Sequence, residues 1–151
     1  MKSTSNLTIG LDIAAKMGVA FVNYRNKKIT TVVYKGTPQQ QLEHLVDVVG
    51  DFDGVLVRIE LLVSFRNAKT TRSLLTRTGY IAHSLEKLGA TVEYVTPIEA
   101  RRDLGVKTKD EVLNYFLNFA PGFTNDETDA IATAIFGEGL KLDDWTIERI
   151  F

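Results

Sequence analysis

Residues 7–12, Leu-Thr-Ile-Gly-Leu-Asp, form an apolar run that closes on a carboxylate, and the next residues, Ile13-Ala14-Ala15-Lys16-Met17, lead into a second apolar run at 18–23. This order reads as a buried strand, a short turn of small residues and a returning strand. An Asp at the end of a buried strand gains no packing energy, and burying its charge unpaired costs several kcal/mol. A bound metal ion would offset that cost, so Asp12 constrains both the fold and the chemistry.

The pattern continues as a strand meander and then changes character. Polar residues 24–28 turn the chain into a third strand, 29–34, which predicts three antiparallel strands. Thr37-Pro38 supplies an N-cap and a first-turn proline for a helix reaching about residue 49, with Leu42, Leu45, Val46 and Val49 on one face. Val55 to Ile59 has the composition of a central strand covered on both faces, and it ends at Glu60. A long helix follows at 69–88, closed by Gly89; Leu74, Leu75, Ile81, Ala82, Leu85 and Leu88 form a stripe suited to a core face or to a dimer seam. A fifth strand spans 91–95, Thr96-Pro97-Ile98-Glu99 opens another helix with a capping box, and Thr108-Lys109-Asp110-Glu111 opens the next. The last helix, 125–136, lies between Thr124 and Gly137.

A meander followed by strands alternating with helices predicts one α/β domain over residues 1–151, built on a five-stranded mixed sheet of three antiparallel and further parallel strands flanked by helices. Its core is expected at 7–137. The tail, 138–151, is acidic with Trp145, Ile147, Ile150 and Phe151, and is expected to pack back or to dock on a partner.

Composition removes several chemistries. The chain has no Cys, hence no disulfide framework, thiolate nucleophile or Cys-based zinc site, and its two His are scattered. No apolar run approaches the roughly 20 residues of a membrane span, so a cytoplasmic protein is expected. The net charge of −1 hides a segregation: residues 58–109 hold ten basic and five acidic side chains, whereas 110–151 hold two and nine. That distribution suits a basic surface beside an acidic site, and equally two solvated faces of opposite sign.

Asp12 and Glu60 each end a strand, and Asp126 and Asp129, three apart in the first turns of a helix, face the same way. Four carboxylates sharing a small volume oppose one another's ionisation unless divalent cations are present. Oxygen-only ligands suit Mg2+ or Mn2+, and two such ions roughly 4 Å apart can activate water and stabilise a leaving 3′ oxygen in phosphodiester hydrolysis. Simpler accounts exist for each residue. Asp126 and Asp129 sit where a helix dipole welcomes negative charge, Glu127 completes a capping box with Thr124, Glu60 can be an exposed strand end, and Asp12 can cap its turn.

Three motifs in this order resemble the RuvC-type Holliday-junction resolvases of the ribonuclease H-like superfamily, especially their compact bacteriophage branch: Ile9-Gly10-Leu11-Asp12 with Gly18-Val19-Ala20, Val55-Leu56-Val57-Arg58-Ile59-Glu60 with Phe65 and Asn67 beyond, and Asn125-Asp126-Glu127-Thr128-Asp129-Ala130-Ile131-Ala132. The resemblance spans about residues 7–137. It implies a ribonuclease H-like fold, Asp12, Glu60, Asp126 and Asp129 as a catalytic tetrad holding two Mg2+ ions for which Mn2+ substitutes, and a homodimer that nicks four-way DNA junctions symmetrically in recombination and repair. It further implies that the 69–88 helix serves the dimer, that Lys109 stands near the scissile phosphate, with Lys107 or Arg102 as a second such residue, and that a phage-encoded protein would act in the bacterial cytoplasm. Arg58 departs from expectation inside a central strand and is expected to pair with a carboxylate.

Arg66, Lys69, Arg72 and Arg77, with Phe65 among them, are expected to contact DNA phosphates while Phe65 stacks or wedges at the branch point; a solvated helix face with Phe65 in the core is the plainer reading. Two other functions suit the same tetrad, an RNA-processing nuclease and a non-catalytic junction binder. A nucleotide-binding module shares the strand-Asp-turn opening, but the turn here, Ala14-Ala15-Lys16, is not Gly-rich.

Overall fold

The computed structural model describes residues 5–61 and 67–150. Strands β1 (Leu7–Asp12), β2 (Lys16–Asn23) and β3 (Lys28–Lys35) form the expected antiparallel meander, with Asp12 opposite Gly18 and Gly18 opposite Val33. Helix α1 (Pro38–Val49) starts with a capping box between Thr37 and Gln40. Strand β4 (Leu56–Glu60) pairs parallel with β1, helix α2 (Ala68–Lys87) is capped by Asn67, and β5 (Thr91–Val95) pairs parallel with β4. Three helices complete the α-part: α3 (Pro97–Leu104), α4 (Lys109–Phe116) and α5 (Asn125–Ala134).

The tail corrects the expected strand count. Thr146–Arg149 forms β6, parallel to β3 with Ile147 opposite Ile29, so the described residues build a six-stranded sheet in the order β5-β4-β1-β2-β3-β6. Four residues with only one apolar side chain among them are too short to show a strand period, and they become a strand because β3 has a free edge.

Strict alternation sends the two faces of the sheet to different helices. Ile9, Leu11, Val19, Phe21, Val57 and Ile59 pack with Leu45 of α1 and with Ile81 and Leu85 of α2. The other face, with Ala20, Val22, Ile29 and Val95, meets α5 and, beyond it, Val112 and Phe116 of α4. Every residue of α5 from Glu127 to Ala134 is buried. Such a helix has no solvent stripe and is held by packing on all sides. It sits unusually low over the strands because β1 and β2 offer glycines there: a Cβ on Gly10 would run into the Ala130 carbonyl oxygen and the Ala134 methyl, and one on Gly18 into the Asp126 backbone.

Arg58 lies on the α5 face of β4, 3% exposed. Its guanidinium pairs with Glu93 of β5 at 3.2 Å and with Glu138 at 2.8 Å, and it donates to the Ala134 carbonyl oxygen at 2.7 Å. The expected carboxylate partner is therefore present twice over.

Candidate metal centre and nucleic-acid surface

Parallel pairing of β1 with β4 places Leu11 beside Ile59, so the next residues of the two strands, Asp12 and Glu60, leave the sheet at the same edge and on the α5 side. The first turns of α5 lie across that edge. Asp12, Glu60 and Asp129 each present a carboxylate oxygen, and the three oxygens lie within 4.8 Å of one another. Asp126, one turn earlier and half-buried, stays outside this cluster, although its charge acts on both Asp12 and Asp129. Glu127 points away: it completes the capping box with Thr124, as the simpler reading expected, and also accepts from Thr31 and Arg149.

The electrostatics are those of anions forced together with only partial compensation from Lys109 and Arg101. Burial, then Asp129 and Asp126, push Asp12 up to about 7, with Lys109 opposing. Burial, then Asp12 and Asp129, push Glu60 up to about 8, against Lys109 and Arg101. Asp129 is also raised, by burial and then by Asp126, with Lys109 and Arg101 working against the shift. Lys109, the first residue of α4, places Nζ 3.4 Å from Asp129 Oδ2. Burial works against its charge, but Asp129, Asp12 and Glu60 outweigh burial and raise its pKa.

These residues fit a divalent cation. The donors are all carboxylate oxygens, the kind hard cations take. Glu60 Oε2 is buried with no hydrogen-bond partner among the described residues. An orphaned buried oxygen costs about 1–3 kcal/mol, more when charged, and a cation at the cluster removes that cost. A half-exposed lysine, with Arg101 acting on Glu60 and Asp129, leaves the three partly buried carboxylates under-compensated, since all three remain shifted upward.

Two basic grooves open on the surface. One, of about 380 Å³, is lined by Ile98, Arg101, Arg102, Gly105, Val106 and Lys107. It brings together Arg102 and Lys107, two of the expected DNA contacts, and adds Arg101, whose charge reaches Glu60 and Asp129. The other, of about 450 Å³, includes Lys69, Arg72 and Arg77 beside Pro38. Arg77 is less available than the sequence suggested, because its Nη1 donates to Gly36 O and Gln41 Oε1, both at 2.9 Å. Phe65 and Arg66 lie outside the described residues.

Sequence reasoning missed Arg101, although its place beside Arg102 in the last turn of α3 was a usable signal. It also missed Gln41, which is fully buried and whose amide donates to Ala14 O at 2.8 Å, fixing the turn that follows Asp12. A lone Gln on a helix carries no such signal.

No protein-family model matches the chain, and no curated protein matches its sequence. Solved structures do share its fold. Thermus thermophilus RuvC in complex with a Holliday junction substrate superposes with a TM-score of 0.68 at 15% identity, covering 89% of this chain and 93% of that one. A second structure of Thermus thermophilus RuvC gives 0.65 at 18% identity, covering 87% and 93%. The resemblance read from three short motifs thus extends to a RuvC-like, ribonuclease H-like fold over nearly the whole chain. No helix among the described residues is long and apolar enough to cross a membrane.

Proposed function

We propose that the protein is a metal-dependent, structure-selective endodeoxyribonuclease that resolves four-way DNA junctions by paired phosphodiester hydrolysis. The observation that carries this reading is the convergence of Asp12, Glu60 and Asp129 at the β1–β4 edge of a RuvC-like fold, with Glu60 Oε2 left unpartnered. Asp12, Glu60 and Asp129, joined by Asp126, would hold Mg2+, with Mn2+ able to replace it, in a site for two ions. Bound there, the metal supplies activation of the attacking water and stabilisation of the leaving 3′ oxygen.

The chain's own residues supply the rest. Lys109 balances part of the carboxylate charge, and its 3.4 Å contact with Asp129 supports a role in which its ammonium would meet the scissile phosphate. Arg101, Arg102 and Lys107 have no side-chain ion pair among the described residues and form a phosphate track leading from the site. Lys69 and Arg72, with the remaining donors of Arg77, form the second track, and Phe65 and Arg66 belong to the same DNA-contacting segment. A homodimer through α2 is part of the proposal: that helix exposes Leu75 and Tyr80, and open space surrounds its Gly79. A compact phage enzyme working in its host's cytoplasm suits this reading.

The test incubates the protein with a labelled immobile junction and a matched linear duplex in Mg2+, Mn2+ or EDTA, beside Asp12→Asn. Paired nicks confined to the junction, requiring metal and Asp12, are expected. Binding without cleavage in either metal identifies a non-catalytic junction binder, and cleavage of structured RNA in place of the junction identifies an RNA-processing enzyme.

A further inference from the structure

We propose that Arg149 and Arg58 are positioning residues that clamp α5 at its two ends and so hold Asp129 at the spacing from Asp12 and Glu60 that metal binding requires. At the first clamp Glu127 is 2% exposed, and Arg149 of β6 grips it with both Nε and Nη2 at 2.7 Å. Thr31 of β3 adds a hydrogen bond to the same carboxylate at 2.9 Å. Arg149 is itself fixed, donating to Gly122 O at 3.1 Å and lying 4.9 Å over the Phe123 ring. A bidentate pair sets orientation as well as distance. At the second clamp Arg58 of β4, two residues before Glu60, donates to the carbonyl of Ala134, the last residue of α5, while Glu138 and Glu93 hold its charge.

These bonds do something the packing does not. Contacts of Ala130 and Ala134 with Gly10 set how close α5 lies to the sheet, but such small side chains interlock little along the helix axis. Directional bonds from β3, β4 and β6 fix that axial position, and a site of three carboxylates tolerates only about 0.5 Å of misplacement. Stability alone is a poor account of ionic networks centred on a buried Glu127 and a buried Arg58, because apolar residues of similar volume often serve as well. Neither arginine lines the groove of Arg101, Arg102 and Lys107 or that of Lys69, Arg72 and Arg77, so their effect on the metal site is separable from contacts in those grooves.

This inference rests on the metal-site part of the proposed function and is independent of junction cleavage. The experiment titrates Mn2+, followed by the electron paramagnetic resonance of the free ion, into wild type, Arg149→Met, Arg58→Met and Arg149→Lys, with circular dichroism to verify folding and junction binding measured in EDTA. Arg149→Met and Arg58→Met are expected to weaken Mn2+ binding about 10-fold or more. Arg149→Lys, which keeps the charge but loses the fork, is expected to fall between, and junction affinity in EDTA stays at the wild-type level. A folded Arg149→Met protein whose Mn2+ affinity is within about twofold of wild type overturns the clamp. If the Met variants do not fold, Arg149→Lys decides, and unchanged affinity there overturns it. A wild type that binds Mn2+ yet cuts no junction removes the nuclease reading and leaves the clamp standing; a wild type that takes up no Mn2+ overturns both.

Discussion

Gly10 of β1 lies directly beneath Ala130 of α5, with no room for a methyl group between the strand and the helix. A Cβ built on Gly10 would stand 2.6 Å from the Ala134 Cβ and 2.7 Å from the Ala134 nitrogen, and neither neighbour is the flexible end of a side chain. The helix that carries Asp129 must therefore rise if Gly10 acquires a side chain. Gly10→Ala is expected to cost about 1–3 kcal/mol of stability by overpacking, seen as a lower urea midpoint, and to weaken Mn2+ binding in the protein that remains folded. Gly18→Ala, which meets the Asp126 backbone, is expected to act in the same direction.

The carboxylate cluster makes the metal-free protein sensitive to pH in an inverted sense. Asp12 and Glu60 have ordinary values of 3.8 and 4.5 and folded values of about 7 and 8, so the folded state binds protons more tightly than the unfolded state. Stability contributed by the protonated forms is complete below about pH 4 and is lost as pH rises toward 8. In EDTA the Tm is expected to fall by several degrees between pH 5 and pH 8, and Asp12→Asn is expected to flatten that slope. Mg2+ competes with protons for the same oxygens, so its stabilising effect is larger at pH 8 than at pH 6. Differential scanning fluorimetry at pH 5, 6 and 8, in EDTA and in Mg2+, checks the sign; a metal-free Tm that rises over this range contradicts it.

Lys109 is the cation that acts on all three carboxylates, and removing it leaves only Arg101 to relieve Glu60 and Asp129 and takes away the cation that relieves Asp12. Lys109→Met is expected to move the acidic limb of the cleavage profile to higher pH and to lower the rate at pH 7 by about 10- to 100-fold, with partial recovery above pH 8. A rate profile measured from pH 6 to pH 9 at saturating Mg2+ distinguishes this shift from a uniform loss.

The basic groove beside the site makes a prediction about salt. Arg102→Ala and Lys107→Ala should each reduce the slope of log affinity against log salt for a junction by about 1, as the loss of one phosphate contact does. Lys28→Ala serves as the control, because Lys28 is paired with Glu148 at 2.8 Å and lines neither groove. Fluorescence anisotropy at several salt concentrations gives the slopes.

The meander, the parallel strands β4 and β5 and all five α-helices could be read from the sequence because each carries a local signal: an apolar run, a Thr cap, a helical apolar stripe or a glycine stop. Thr96 and Thr124 announced their helices through capping boxes, and Thr37 through an N-cap followed by proline; the structure contains all three caps and adds a box between Thr37 and Gln40. Strand β6 was not legible because its stability comes from a partner strand more than a hundred residues away, and no local pattern encodes that. At the site, Asp12 and Glu60 were legible as strand ends and Asp129 as an acidic residue in the first turns of α5, whereas their spacing was not, since it depends on Gly10 and Gly18 lowering α5. The two glycines appear in the motifs, but only the packing shows why a side chain is excluded. Arg58 was visible as an anomaly in an apolar strand; its partners Glu93 and Glu138 lie 35 and 80 residues further along and had no mark of their own.

The burial of α5 along its whole inner length also separates the site into two dynamic regimes. Amides from Ala130 to Ala134, hydrogen-bonded and enclosed on every side, exchange with solvent only when the whole domain unfolds, so native-state hydrogen exchange at these residues reads the global free energy. Helix α4 is eight residues long and largely solvent-facing, with Val112 and Phe116 as its buried anchors, and it is expected to open by local fluctuations of lower cost. Hydrogen exchange should then set Asp129 on a slowly opening helix and Lys109 on a faster one, the anion anchored and its cation the more mobile of the two.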